Sequence, residues 1–203
     1  MNVLLYGGGV DSTALMVYLY SKNIDFVVMH CNYGQKAFQQ ERKSARYFCK
    51  RYYRKLITPK MDLTFASSCT ILKGTQNPTS NTKLELRNIV LMSLAGSYIA
   101  SNSSDESNTI YVGFHEEPNN APYPDAILKN VKPLAKAMTD SSGVRIEIQA
   151  PFKKKIREYI YQLGYKLDKD VLNKSYTCYD VKECGVCPHC LLKKQIIEKF
   201  NLR

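Results

Sequence analysis

The stretch Asn2-Val-Leu-Leu-Tyr6, followed by Gly7-Gly8-Gly9-Val10-Asp11-Ser12, decides how the rest of the chain is read. A short apolar run meets three consecutive glycines, and Ser12 to Tyr20 then has helical character, with Ala14, Leu15 and Leu19 available to a core. Strand, glycine turn and helix, followed after a short turn by the apolar run Phe26 to His30, describe a parallel βαβ unit. In an open parallel sheet the ligand lies beyond the carboxyl ends of the strands, where this glycine turn sits. Glycines let backbone N–H groups approach an anion without Cβ obstruction, and a helix N-terminus adds partial positive charge. Gly7 to Ser12 is therefore a candidate phosphate cradle, with a plain tight turn as the alternative. Two commoner nucleotide motifs do not fit. No Gly-Lys-Ser/Thr follows, and Ser12 stands at the third-glycine position of the dinucleotide fingerprint.

The alternation continues downstream. Ala45, Phe48, Cys49 and Tyr52 fall at helical spacing between basic residues, and Lys55 to Thr58 is strand-like. Thr70 to Thr82 is polar and contains Pro78, which predicts a surface loop. Leu86 to Ala100 reads as a long apolar helix, Ser101 to Asn108 as a turn, and Ile110 to Phe114 as a strand. Pro118 to Pro124 interrupts the pattern. A mixed helix, the alternating strand Val144 to Ile148 and a Lys-rich helix over Lys153 to Leu163 follow. The predicted fold class is α/β, a doubly wound, mostly parallel sheet of about five strands.

With 203 residues, 44% hydrophobic and 23% charged, the composition suits one compact core and excludes collagen-like, mucin-like and coiled-coil classes. The balance of 29 Lys and Arg against 18 Asp and Glu, net +11, fits an anionic partner such as nucleotide phosphates or RNA, or an ordinary basic surface. No apolar run approaches the ~18–20 residues that span a bilayer, and Met1 to Ser12 carries neither a basic start nor a cleavage site. A cytoplasmic location without a membrane partner is the expectation. From Asp168 onward the composition changes, giving an expected division into an α/β domain over 1–167 and a metal module over 168–203 packed on it. Within that tail Cys178, Cys184, Cys187 and Cys190 form C-x5-C-G-x-C-x2-C, a spacing that suits a closed tetrahedral Zn2+ site without an open coordination position. His189 is left outside that ligand set. Cys31, Cys49 and Cys69 read as ordinary buried cysteines, with Cys31 nearest the ligand edge of the sheet.

The loop Gly7 to Ser12 resembles the SGGxDS loop of the PP-loop ATP pyrophosphatases, with Gly7 at the position of the family's first Ser. Taken with His30-Cys-Asn-Tyr-Gly-Gln35 and Glu41, Leu86-Arg87-Asn88, Val112-Gly113-Phe114, Tyr123-Pro124-Asp125, Lys155-Ile156 and the cysteine ending, the chain resembles the 7-cyano-7-deazaguanine synthase family nearly end to end. The resemblance implies an adenine-nucleotide α-hydrolase-like sheet, commonly dimeric, that uses ATP, Mg2+ and a structural Zn2+. It implies ATP-dependent ligation of 7-carboxy-7-deazaguanine and ammonia, ending in the nitrile through adenylated intermediates, with release of AMP and pyrophosphate. It places Gly7, Gly8, Gly9, Val10, Asp11 and Ser12 around the phosphates with Asp11 near Mg2+, and Tyr33 and Gln35 in the nucleotide pocket. Arg87 and Asn88 are expected at phosphate or carboxylate, and Tyr123 and Asp125 at the deazapurine. Asp11, Ser12 and Arg87 are the expected catalytic set. Helix-start and N-cap roles are the alternatives for Arg87, Asn88 and Asp125.

Departures from the family pattern cluster at the substrate segment. Pro118 to Ala126 lacks the family's first Asp, its Cys and its Arg, Glu116 and Glu117 are the candidates to replace the acid, and Lys193 stands where the family has Arg. These differences and Gly7 point to one further function, a relative that stops at the amide or passes the acyl group to another amine, and the basic surface points to a second, an RNA-binding or RNA-modifying protein. The second would use the basic stretch Lys36 to Lys60 with its interleaved aromatics. An inactive ATP-loop scaffold is the remaining alternative.

Overall fold

A computed structural model describes residues 1–66, 69, 71–72, 83–115 and 123–202. Strands β1 (Asn2–Leu5), β2 (Val27–Met29), β3 (Leu56–Ile57), β4 (Asn108–Tyr111) and β5 (Ile146–Gln149) form one sheet in the order β3-β2-β1-β4-β5. All four pairings are parallel, with Val3 opposite Val27 and Ile110. The helices are α1 (Val10–Ser21), α2 (Phe38–Arg51), α3 (Arg87–Asn102), α4 (Leu128–Ser142), α5 (Arg157–Leu167), α6 (Asp170–Lys174) and α7 (Pro188–Lys199). Among the described residues no helix is long and apolar enough to cross a membrane.

Strand alternation sends successive side chains to opposite faces, and both faces are covered. Val3, Met29, Ile110, Ile146 and Ile148 meet Met92, Ala95 and Ile99 of α3 and Val131 of α4. Leu4, Val28 and Tyr111 belong to the opposite layer with Ala14 and Leu15 of α1, Phe48 of α2 and Ile160 of α5. Each fully buried side chain of Leu or Ile size contributes roughly 1.5–3 kcal/mol, so the two layers carry the fold. Gly164 of α5 permits close approach: a Cβ there would lie 2.8 Å from Val171 Cγ1 and 3.1 Å from Ala14 Cβ. The chain runs outward from β1 through β2 to β3, then returns to the other side of β1 as β4. This reversal leaves a crevice beyond the carboxyl ends of β1 and β4.

Several boundaries differ from the sequence expectation. β4 begins at Asn108, placed in the preceding turn by composition; its buried side chain donates to Asp105 O and Arg145 O, which makes the polar residue compatible with a strand start. Residues 151–154 form turns, closed by Lys155 N–H donating to Phe152 O at 2.8 Å, and α5 starts only after the extended Ile156. Ile71 and Leu72, expected on a surface loop, are buried with Tyr33 and Leu84, and Leu72 bridges to Gln35. The rest of Thr70 to Thr82, and residues 116–122, lie outside the described residues. The tail, expected as a metal module packed on the α/β domain, contains α6 and α7, and its Val171, Leu172 and Ile196 join the layer of Leu4 and Phe48. Asp168 anchors it, accepting hydrogen bonds from Arg51 Nε at 2.7 Å and Tyr52 Oη at 2.5 Å.

Candidate active site

The glycine turn closes through its own backbone. Gly9 is the N-cap of α1 and no side chain caps that end, so the first N–H groups of the helix remain available to an anion. Ser12 Oγ accepts from Gly7 N–H at 3.2 Å and donates to Gly9 O at 3.1 Å, which folds the loop over the helix start. Gly8 has φ +84°, and a Cβ there would lie 2.6 Å from Glu41 Cβ and 2.8 Å from Glu41 Cα. Only glycine fits. Gly7 has open space around it, and Val10 is fully buried in the core, so Val10 can offer a ligand only its N–H. Gly113, just beyond β4, brings its Cα close to the backbone of Ser12: a Cβ there would be 3.5 Å from Ser12 N.

A cavity of about 300 Å3 opens at this switch point, within the size range of small-ligand sites. Gly7, Gly9, Asp11 and Ser12 form one wall, and Tyr33, Gln35 and Glu41 another. Arg87 and Asn88 reach it from the start of α3. Gln35 is held at both polar atoms of its side chain: its Oε1 accepts from Tyr33 N–H, and its Nε2 donates to Cys31 O and to Glu41 Oε2 at 2.9 Å. Arg87 lies over the Tyr33 ring, 5.7 Å from its centroid, and donates to Tyr33 Oη at 3.4 Å. Burial pushes the Glu41 carboxyl up to about 7, against the lowering influence of Gln35 and Arg87. Burial likewise pushes the thiol of Cys31, which also lines the cavity, up to about 12, so it is no ready nucleophile.

Tyr123 and Asp125 are not part of the described cavity wall. Asp125 Oδ2 instead accepts the Asn88 N–H at 2.9 Å and caps α3 from a distance, because Leu86 before that helix is left-handed (φ +55°) and offers no side-chain cap. Asp11 stands in a cluster that sequence reasoning missed. Its Oδ2 is 3.5 Å from both His115 Nε2 and Arg157 Nε, while its buried Oδ1 has no partner. Burial disfavours the charged form, but contact with His115 and Arg157 outweighs it and holds the carboxyl below its usual range. Arg157 also donates to His115 Nε2 at 2.9 Å. Placement alone signals these residues: His115 follows the carboxyl end of β4, and Arg157 opens α5.

The roof of the cavity comes from the tail. Tyr176 N–H donates to Gly8 O at 2.8 Å, and a Cβ on Gly9 would touch Thr177 Cγ2 at 3.5 Å. Tyr176, Thr177, Tyr179 and His189 all line the site, and Tyr179 Oη lies 2.5 Å from His189 Nε2. Directly behind them the sulfur atoms of Cys178, Cys184, Cys187 and Cys190 lie within 4.8 Å of one another. A tetrahedral ion with Zn–S of about 2.3 Å requires sulfur separations of ~3.8 Å, so small inward shifts complete the site. Backbone N–H groups of Asp180 and Cys184 point at Cys178 Sγ, each at 3.4 Å, as suits a thiolate. These four residues fit a zinc ion, while His189 is engaged with Tyr179.

On α2 and just beyond it, the aromatics expected to stack on bases are otherwise occupied. Phe38 and Phe48 are buried, Tyr47 and Tyr52 hydrogen-bond Asp170 and Asp168, and of this group Tyr53 alone is strongly exposed, at 89%.

Known proteins resemble this chain along most of its length. Residues 1–201 match the family model described as queuosine biosynthesis protein QueC. A 7-cyano-7-deazaguanine synthase of Methanocaldococcus jannaschii is 24% identical over 220 residues, covering 95% of this chain and 92% of that protein. Those of Chlorobaculum tepidum and Methanobrevibacter smithii are each 28% identical, the first covering 93% of this chain and 87% of its own, the second 99% and 94%. A solved structure described as a predicted subunit of tRNA methyltransferase from M. jannaschii covers 88% of this chain and 93% of its own, at 11% identity and a TM-score of 0.47. With a family match running from Met1 to Asn201 across glycine loop, Arg87 helix start and cysteine ending alike, the chain belongs to the QueC family of queuosine biosynthesis proteins.

Proposed function

We propose that this protein converts 7-carboxy-7-deazaguanine and ammonia to 7-cyano-7-deazaguanine, using ATP to activate first the carboxylate and then the amide. The observation that carries the reading is the cavity at the β1/β4 switch point, where an uncapped glycine loop faces an arginine-bearing helix start. A carboxylate oxygen is a poor leaving group and AMP a good one. The substrate oxygen attacks the α-phosphorus, pyrophosphate departs, ammonia displaces AMP, and a second activation lets the amide oxygen leave with AMP.

The chain's own groups supply positioning and charge for these steps. N–H groups at the start of α1 receive the departing pyrophosphate, with Ser12 holding the loop in shape. Arg87 offers a planar fork to the α-phosphate or the substrate carboxylate. Tyr33 and Gln35 border the nucleotide, and Asp125, by capping Asn88, sets the edge at which Asn88 meets the deazapurine. The orphaned Asp11 Oδ1 suits a Mg2+ ion, which when bound offsets phosphate charge. A zinc ion on the four cysteines would fix the roof segment from Tyr176 to Tyr179.

The test mixes zinc-loaded protein, Mg·ATP, an ammonium salt and 7-carboxy-7-deazaguanine and follows nucleotide and deazapurine masses together. AMP and pyrophosphate with the nitrile are expected. AMP with only the amide assigns the protein to the truncated reaction, and absence of substrate-dependent AMP refutes the proposal.

A further inference from the structure

Ammonia is mostly ammonium at neutral pH, and both chemical stages of the proposed reaction release protons at nitrogen. Among the described residues the cavity is lined by one carboxylate besides Asp11, and the steps above leave it unused. It belongs to Glu41, on the first turn of α2 beneath Gly8. Asp11 is already engaged by His115 and Arg157. Glu41 Oε2 is fixed by the fully committed Gln35 amide, and the Gly8 backbone packs on its Cα and Cβ, so its head is held at the floor of the site.

We propose that Glu41 is the general base of this site, taking the proton from the nitrogen nucleophile and again from nitrogen in the dehydration. This rests on the synthase reading above. In the first stage the C–N bond forms at the acyl carbon, a proton passes from nitrogen to Glu41, and the C–O bond to AMP breaks. In the second, adenylation of the amide oxygen draws the nitrogen lone pair into the second C–N bond and one N–H proton passes to solvent; the remaining N–H electron pair then becomes the third C–N bond as AMP leaves, and Glu41 takes that proton, which solvent discharges between stages. Its elevated carboxyl, about 7, suits transfer near neutral pH. The groups facing it are Arg87 from α3, Tyr33 and Gln35 from the segment after β2, and Tyr6 at the end of β1.

The test uses the full-length zinc-loaded chain carrying Glu41→Gln, an isosteric change whose Oε1 still accepts from Gln35. Carboxylate-dependent exchange of pyrophosphate into ATP should persist, while ammonia-dependent product falls about 100-fold or more. Hydroxylamine, largely unprotonated at neutral pH and a stronger nucleophile, should lose far less rate on the substitution than ammonia does. At constant free ammonia the wild-type reaction should lose rate as pH falls through about 7, and the variant should lack that limb. Unchanged ammonia turnover and pH profile, or loss of exchange and hydroxamate together with ammonia turnover, overturns the assignment while leaving the synthase reading intact. Absence of exchange in the wild type overturns both. If Glu41→Gln does not fold, Glu41→Asp keeps a carboxylate and the Cβ contact. It should retain the pH limb at reduced rate, and a pH-independent profile would overturn the assignment.

Discussion

Alanine at Gly7 and at Gly8 is the same chemical change one residue apart, and the structure assigns the two opposite outcomes. At Gly8 the backbone sits at φ +84°, where a side chain costs roughly 1–3 kcal/mol. The added Cβ would also lie 2.6 Å from Glu41 Cβ and 2.8 Å from Glu41 Cα. Those are not the far ends of a flexible side chain, so α2 or the loop must move, at a further cost of about 1–3 kcal/mol. Together Gly8→Ala should lose about 2–6 kcal/mol, or roughly 5–20 °C in Tm for a domain of this size. Gly7 has nothing within 4 Å of a built Cβ and no left-handed φ, so Gly7→Ala should stay within about 1 kcal/mol of the parent, through reduced freedom of the unfolded chain. Thermal unfolding of the zinc-loaded proteins by circular dichroism, with urea titration for the free energies, makes the comparison. Equal Tm values for the two variants would refute the packing of the loop on Glu41, and a large loss at Gly7 alone would invert the loop geometry.

Asp168→Asn should destabilise the fold by about 1–3 kcal/mol, read as a lower urea midpoint, because a buried acceptor would no longer meet Arg51 Nε and Tyr52 Oη as a charge. Arg51 is half exposed, which keeps the expected loss below that of a fully buried pair; an unchanged midpoint refutes the anchor. Cys187→Ser should lower zinc content and also weaken Mg·ATP binding in calorimetry, since the tail's Tyr176 N–H grips Gly8 O. Undiminished nucleotide affinity in that metal-depleted variant would uncouple roof from loop. The Glu41 carboxyl is raised in the fold from 4.5 to about 7, so the stability it contributes is complete below 4.5 and lost as pH rises through 7. Glu41→Gln abolishes this titration and should therefore gain stability relative to wild type between pH 5 and 8, by about 3 kcal/mol or less. A pH-independent difference in Tm between the two proteins would contradict it.

How far the site was legible depended on whether a residue's role is local. The Gly7 to Ser12 loop announces itself because strand, glycines and helix are consecutive, and the cysteine cluster does so because three of its four members fall within seven residues, Cys184 to Cys190. The sheet order follows from the alternation of elements, but β4 starting at Asn108 does not, since that depends on carbonyls as distant as Arg145 O. Asp125 shows the same limit: Tyr-Pro-Asp reads as a local cap or a substrate contact, whereas its carboxylate caps the start of α3, 37 residues earlier in sequence.

The residues that most alter the chemical reading of the loop are invisible to spacing altogether. His115 and Arg157 lie 42 residues apart in sequence and meet only because β4 and α5 both end or begin beside β1's carboxyl edge. There they surround Asp11, so its acidity is set by tertiary partners that no pattern around Gly7 to Ser12 contains. The roof makes the same point for the metal. The cysteines alone suggest a structural ion, but the fold places Tyr176 and Thr177, immediately before Cys178, on Gly8 and Gly9. A metal ion held by these cysteines would be structural and functional at once, because whatever displaced the thiolates would displace that wall of the cavity.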